Sequence, residues 1–77
     1  MKGGDNMIDN YYFNNYTDSN GKHEIHTSSC SFLPSVENRT YIGVFASCES
    51  AMKAAKEQYP QKHFDGCYFC CRECHRG

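Results

Sequence analysis

The chain has 77 residues, carries a net charge of −1 and contains six cysteines. A chain this short forms one domain at most, and because it buries little apolar surface it usually needs a metal, disulfides or a partner to fold stably. No run approaches the ~18 consecutive apolar residues of a membrane span, and no basic stripe is visible, so charge gives nucleic-acid binding no support.

The first part of the chain predicts a flexible terminus followed by a hairpin. Residues 1–10 are rich in Gly, Asn and Asp and predict the terminus, which leaves residues 11–77 as a single mini-domain. Residues 11–13, Tyr-Tyr-Phe, indicate a strand. Residues 18–21, Asp-Ser-Asn-Gly, form a turn sequence, because Gly adopts positive φ and Asn and Asp tolerate it. Residues 22–26, Lys-His-Glu-Ile-His, alternate loosely and predict the returning strand.

The middle of the chain predicts a strand and then a helix. Residues 41–45, Tyr-Ile-Gly-Val-Phe, are rich in β-branched and aromatic side chains, which favours a strand. The helix is expected to begin after Ser47, which serves as its N-cap, and to stop at Pro60. Its apolar stripe recurs at helical spacing and consists of Cys48, Ala51, Met52, Ala55 and Tyr59. Its opposite face has three charges spaced for i,i+4 ion pairs: Glu49, Lys53 and Glu57.

The C-terminal segment, residues 64–75, is too short and too rich in cysteine for a regular element, and it predicts a zinc knuckle. Two overlapping pairs have the spacing of metal ligands on one tight turn: Cys67-x2-Cys70 and Cys71-x2-Cys74. Gly66, just before them, is expected to supply backbone freedom for that turn. The predicted fold class is therefore α+β, with a small antiparallel sheet, one helix and a C-terminal zinc knuckle.

A tetrahedral zinc site needs four ligands, and the pair His26-x3-Cys30 offers the second half of one. The two halves lie on either side of the predicted strand and helix, so a metal would clip the middle of the chain to its end. Our first choice of ligands is His26, Cys30, Cys67 and Cys70, with Zn as the cofactor. Four rivals stay open: Cys71, Cys74, His23 and His75.

The order of these motifs resembles the small Ada-type metal-binding domain, which occurs in DNA methylphosphotriester repair proteins and, in a His-Cys-Cys-Cys variety, beside secreted nucleases. The motifs are Gly21-Lys22-His23-Glu24-Ile25-His26-x3-Cys30-x-Phe32-Leu33, a strand, a helix with Glu49, Ala51 and Ala55, and Gly66-Cys67-x2-Cys70. By this resemblance the ligands would be His26, Cys30, Cys67 and Cys70. In the repair proteins the methyl-accepting cysteine belongs to a four-cysteine site, so His26 limits what the resemblance implies to fold and metal.

The expected function is a structural zinc module, residues 11–77, that binds a macromolecule, with a protein favoured over a nucleic acid. No apolar run of the kind found in secretory signals follows Met1, so the expected location is the cytoplasm, where clustered cysteines usually bind metal or catalyse. The alternatives are a thiol enzyme or redox protein that uses the cluster at residues 67–74, and a disulfide scaffold. Cys48 is expected to be a buried hydrophobe, or else to pair with Cys74 under oxidation.

Overall fold

The computed structural model describes residues 8–77, so most of the segment expected to be flexible lies outside the described residues. The elements in chain order are the strands β1 (Asp9–Asn14) and β2 (His23–Thr27), a 3-10 turn (Val36–Asn38), the strand β3 (Arg39–Phe45), the helix α1 (Cys48–Gln58), the strand β4 (Phe64–Gly66) and a second 3-10 turn (Arg72–Cys74). Because β1 begins at Asp9, Asp9 and Asn10 belong to the sheet and not to the terminal segment.

The four strands form one sheet in the order β3-β1-β2-β4. β1 pairs antiparallel with both β2 and β3, whereas β2 and β4 are parallel. The α+β prediction is thus confirmed, but the sheet is mixed and not purely antiparallel. The prediction missed β4 because three residues are too few to show a strand pattern, and this strand is defined by its pairing with β2.

The hairpin between β1 and β2 turns where the sequence predicts. Asp18 Oδ1 accepts hydrogen bonds from the backbone N–H groups of Asn20 at 2.8 Å and Lys22 at 2.9 Å. Gly21 has a φ of 76°, which an L side chain rarely adopts, so glycine is required at this point of the turn.

The helix α1 packs its predicted apolar stripe against the sheet. Ser47 caps it, since the Ser47 hydroxyl accepts a hydrogen bond from Ser50 N–H at 3.2 Å. Ala51 and Ala55 are fully buried and small, which lets the helix lie close to the strands. Among residues 8–77, the carboxylates that lie within 4 Å of a basic side chain are Glu24, beside His26, and Asp65, beside His75, so the i,i+4 pairs predicted along α1 do not form. In the same part of the chain no helix is long and apolar enough to cross a membrane.

The core lies between α1 and the sheet and centres on Phe13, which is 2% exposed. Its ring meets Phe64 of β4 edge-on at 5.1 Å and Tyr59, just after α1, at 5.3 Å between ring centroids. Each buried aromatic ring removes a large apolar area from water, worth roughly 2–3 kcal/mol. This packing fixes β4 beside β2, and thereby fixes where the cysteine-rich segment begins.

Candidate metal centre

Four side chains from two distant parts of the chain converge on one point. The ligand atoms of the four lie within 4.8 Å of one another, and the residues are His26, Cys30, Cys67 and Cys70. They are the first-choice set predicted from sequence spacing. Three sulfurs and one imidazole nitrogen at this spacing form a donor set able to hold a metal ion.

The first pair, His26 and Cys30, lies at the C-terminal end of β2 and in the turn that follows it. His26 is 1% exposed and lies on the strand, and the chain then turns, with Cys30 N–H bonded to Thr27 O at 3.2 Å. Leu33 N–H bonded to Cys30 O at 3.1 Å continues the turn. These bonds accompany a turn that brings Cys30 Sγ within 4.8 Å of the ligand nitrogen of His26.

The second pair follows β4 directly. Cys67 N–H donates to Ile25 O at 3.0 Å, which extends the β2–β4 pairing by one residue, and Cys71 N–H then donates to Cys67 O at 2.9 Å to close the turn. Gly66 is required in this turn because there is no room for a side chain, and not because it adopts a positive φ, which differs from the expectation from sequence. A Cβ at Gly66 would lie 2.7 Å from Cys74 Cβ and would overlap Cys71 O.

Each of the three clustered sulfurs accepts one backbone hydrogen bond. Thr27 N–H donates to Cys70 Sγ at 3.3 Å, Phe32 N–H to Cys30 Sγ at 3.4 Å, and Phe69 N–H to Cys67 Sγ at 3.4 Å. Such donors stabilise negative charge on a ligating thiolate and orient it toward the metal.

The distance between two of the sulfurs fits tetrahedral coordination. Two thiolates bound to one zinc ion at ~2.3 Å with tetrahedral angles lie about 3.8 Å apart. Cys30 Sγ and Cys67 Sγ are separated by 3.9 Å. Cys70 Sγ lies 4.0 Å from His26 Nδ1, which identifies Nδ1 as the ring nitrogen that faces the thiols.

The other ring nitrogen of His26 faces a carboxylate. His26 Nε2 is buried without a hydrogen-bond partner and lies 3.6 Å from Glu24 Oε1. A metal bound at Nδ1 would place the ring proton on Nε2, where it points toward Glu24; metal-ligating histidines commonly have such a carboxylate behind them. Burial lowers the pKa of His26, which favours the neutral imidazole that binds metals. Sequence reasoning noted Glu24 but missed this role, which its i,i+2 spacing from His26 on a strand could have indicated.

The pKa values of the clustered thiols argue against a reactive cysteine. Burial raises the pKa of Cys67 to about 12 and also raises the pKa of Cys30. The pKa of Cys70 is raised first by the hydrogen bond from its thiol to Cys71 Sγ and then by burial. A nucleophilic cysteine needs the opposite shift, which a nearby positive charge produces. Without a cation these thiols stay protonated at neutral pH.

The two rival cysteines lie outside the cluster. Cys74 forms a disulfide with Cys48, with a Cα–Cα distance of 6.5 Å, so the alternative pairing considered for Cys48 occurs. Cys71 is fully buried in the core, 4.0 Å from Cys70 Sγ. Disulfides are rare in the reducing cytoplasm, so this bond does not favour the location expected from the sequence.

The two rival histidines have other partners. His23 Nδ1 lies 2.8 Å from Asn14 O, and its ring packs edge-on against Phe13 at 5.5 Å. His75 Nδ1 lies 2.9 Å from Gly66 O and 3.4 Å from Asp65 Oδ2. Both side chains therefore stabilise the ends of β2 and β4 and do not join the cluster.

An exposed aromatic pair adjoins the cluster. Phe32 and Phe69, whose N–H groups bond to the clustered sulfurs, stack at 4.5 Å with an angle of 22° between their rings. They are 56% and 66% exposed. Tyr68 meets Phe69 edge-on at 5.2 Å, and the Arg72 guanidinium lies 4.9 Å above the Tyr68 ring. Sequence reasoning did not predict this surface.

Comparison with known proteins found no significant match among family models, curated proteins or solved structures. The chemistry of the centre therefore rests on its own donor atoms.

Proposed function

We propose that this chain is a structural zinc module that binds a protein partner. The observation that carries the proposal is the convergence of the four donor atoms of His26, Cys30, Cys67 and Cys70 within 4.8 Å. A set of three soft thiolates and one imidazole favours Zn²⁺, which binds such ligands tetrahedrally, among the common metals. Four protein ligands leave no open position for a substrate, so the metal contributes folding energy and not catalysis.

The position of the centre in the chain supports a structural role. The residues 26–30 and 67–70 are separated in sequence by β3 and α1, so the ion closes a long loop and holds the C-terminal segment on the sheet. β4 has only three residues and contributes little pairing of its own. The metal would thus add to the packing of Phe64 on Phe13 in holding this segment against the sheet.

The resemblance to the Ada-type domain adds support, since the order His-x3-Cys, strand, helix, Cys-x2-Cys is the same. With His26 in the first ligand position the proposal includes the metal and the fold of that domain but not methyl transfer. Among the alternatives, a thiol enzyme is disfavoured by the raised pKa values of Cys30, Cys67 and Cys70.

The exposed aromatic pair supports protein binding as the role of the module. Phe32 and Phe69 lie two residues after Cys30 and Cys67, and their N–H groups bond to those sulfurs. The metal would therefore hold both rings in place. Exposed stacked aromatics of this kind are enriched where proteins associate.

Native mass spectrometry of protein purified without added metal, followed by chelation, tests the proposal. We expect one Zn²⁺ per chain, and loss of the fold by circular dichroism when the metal is removed. Cys67→Ser should lose the ion, whereas Cys71→Ala, which changes a buried cysteine outside the cluster, should keep it. A metal-free chain that is folded and unaffected by Cys67→Ser would contradict the proposal.

A further inference from the structure

A groove of about 620 Å³ runs between α1, β4 and the C-terminal residues, away from the four clustered ligands. Its cationic side chains come from three parts of the chain and are Lys22, Lys53, Lys56 and Arg76. These are half of the eight Lys and Arg residues of a chain whose net charge is −1. With Glu49 and Glu57 on the same lining, the four cations leave the groove a net charge of +2 (four positive charges minus two negative), against −1 for the whole chain.

The four cations are not neutralised from within the fold. Among residues 8–77 the carboxylates that lie within 4 Å of a basic side chain are Glu24, beside His26, and Asp65, beside His75, and neither contact includes a groove cation. Arg76 donates hydrogen bonds to the carbonyl groups of Glu73 at 3.0 Å and His75 at 3.1 Å, which position its guanidinium without cancelling its charge. The groove thus presents a net positive charge to an incoming ligand.

The remaining lining residues indicate what kind of anion fits. The apolar part of the lining comes mainly from Met52, which is half-buried, because Phe64 is only 7% exposed and contributes a small area. Glu49 and Glu57 also line the groove, and they lie on either side of Lys53 and Lys56 along α1. A nucleic-acid strand has a negative charge at every unit, so it cannot keep its charges away from Glu49 and Glu57 while it contacts the cations. A peptide with separated carboxylates and an apolar side chain between them matches both the charges and the apolar surface.

We propose that this groove binds an acidic segment of a partner protein, with its carboxylates on the four cations and an apolar side chain against Met52 and Phe64. This inference rests on the protein-binding part of the proposed function and names the chemical class of the partner. The Cys48–Cys74 disulfide joins the first residue of α1 to the last residue of the second 3-10 turn, and Cys74 itself lines the groove, so this bond holds its two walls together.

Fluorescence anisotropy with the full chain tests the groove directly. The probe is a fluorescein-labelled decapeptide of alternating glutamate and leucine, and the matched probe replaces glutamate with lysine. We expect the acidic probe to bind and the basic probe not to bind. Lys53→Glu and Lys56→Glu should each weaken binding about tenfold. Lys62→Glu, which makes the same charge change at an exposed lysine outside the groove, should have little effect.

The inference would be overturned if the acidic probe did not bind, or if Lys62→Glu lost as much affinity for it as Lys53→Glu and Lys56→Glu do. It would also be overturned if a thymidine decanucleotide bound more tightly than the acidic probe and the groove variants weakened that binding. Complete competition by free glutamate would assign the groove to a small carboxylate instead. Zinc content is measured on the same samples. A chain that holds zinc but does not bind the acidic probe would support the zinc module and contradict the groove proposal. A folded, zinc-free chain that binds the probe would contradict the zinc module and support the groove proposal.

Discussion

Glu24 and His26 are two residues apart on β2, and the Glu24 carboxylate lies 3.6 Å from His26 Nε2, the ring nitrogen opposite the one that faces the thiols. In the proposed zinc centre, this relationship makes Glu24 a residue that orients the His26 ring. Glu24→Ala should weaken zinc affinity about tenfold, because the ring would lose the acceptor that fixes its tautomer and angle. Glu24→Gln keeps an acceptor oxygen, so its zinc affinity should fall less than that of Glu24→Ala.

Competition with a chromophoric chelator measures these affinities. Glu37→Gln is the control, since Glu37 is an exposed carboxylate on the first 3-10 turn, outside the cluster. An affinity of Glu24→Ala equal to that of the unmodified chain would show that the carboxylate does not act on the metal.

Gly66→Ala should unfold the C-terminal segment locally. The added methyl group would collide with the backbone of Cys71 and with Cys74 Cβ, which lies 2.7 Å away. Since neither can move without displacing the turn that carries Cys67 and Cys70, we expect a loss of ~3 kcal/mol in the free energy of unfolding in urea.

Gly21→Ala is the matched control for that variant. The φ of 76° at Gly21 strains an alanine there, at a cost of about 1 kcal/mol, but a Cβ at that position meets no atom within 4 Å. Gly21→Ala should therefore keep full zinc affinity. The steric argument fails if Gly66→Ala proves as stable as Gly21→Ala and binds zinc equally well.

Zinc binding should strengthen as pH rises. Burial raises the pKa of Cys67 to about 12, so at neutral pH the metal-free thiol carries a proton that zinc must displace. The same direction holds for Cys30 and Cys70, so binding should release nearly three protons, and acid should release the metal. Calorimetry in buffers of different ionisation enthalpy counts those protons. An affinity that does not vary between about pH 6 and 8 would rule out thiolate ligation.

The Cys48–Cys74 disulfide should add stability without holding the metal. It closes a loop with a sequence separation of 26, for which loop-closure entropy gives about 3.5 kcal/mol. Cys48→Ala should therefore lower the free energy of unfolding by an amount of that order while keeping one zinc per chain. Loss of zinc from Cys48→Ala, seen by native mass spectrometry, would mean that the disulfide and not the metal fixes the C-terminal segment.

Local patterns in the sequence predicted the parts of the fold that local forces determine. The apolar stripe and the Ser47 cap gave α1, and Asp18 and Gly21 gave the hairpin turn, because both depend on neighbours in the chain. The spacing of the two ligand pairs indicated which four side chains would converge, since a tight turn places two donors on one side within a few residues.

Long-range packing decided what the sequence could not reveal. β4 is a strand only because Phe64 packs on Phe13 and the chain pairs with β2. The sequence of these three residues alone does not indicate a strand. The Cys48–Cys74 disulfide depends on where α1 meets the end of the chain. The need for Gly66 likewise comes from a close approach by residues five and eight positions later.

The direction of the fourth strand decides whether the two halves of the centre can meet at all. Strands that run the same way finish at the same rim of a sheet, so the residues that follow β2 and those that follow β4 emerge side by side. Had β4 run the other way, Cys67 would emerge near Lys22, beside the hairpin turn and about 10 Å from His26 at ~3.3 Å per residue. The parallel direction of this three-residue strand thus places both ligand pairs at the same edge of the sheet.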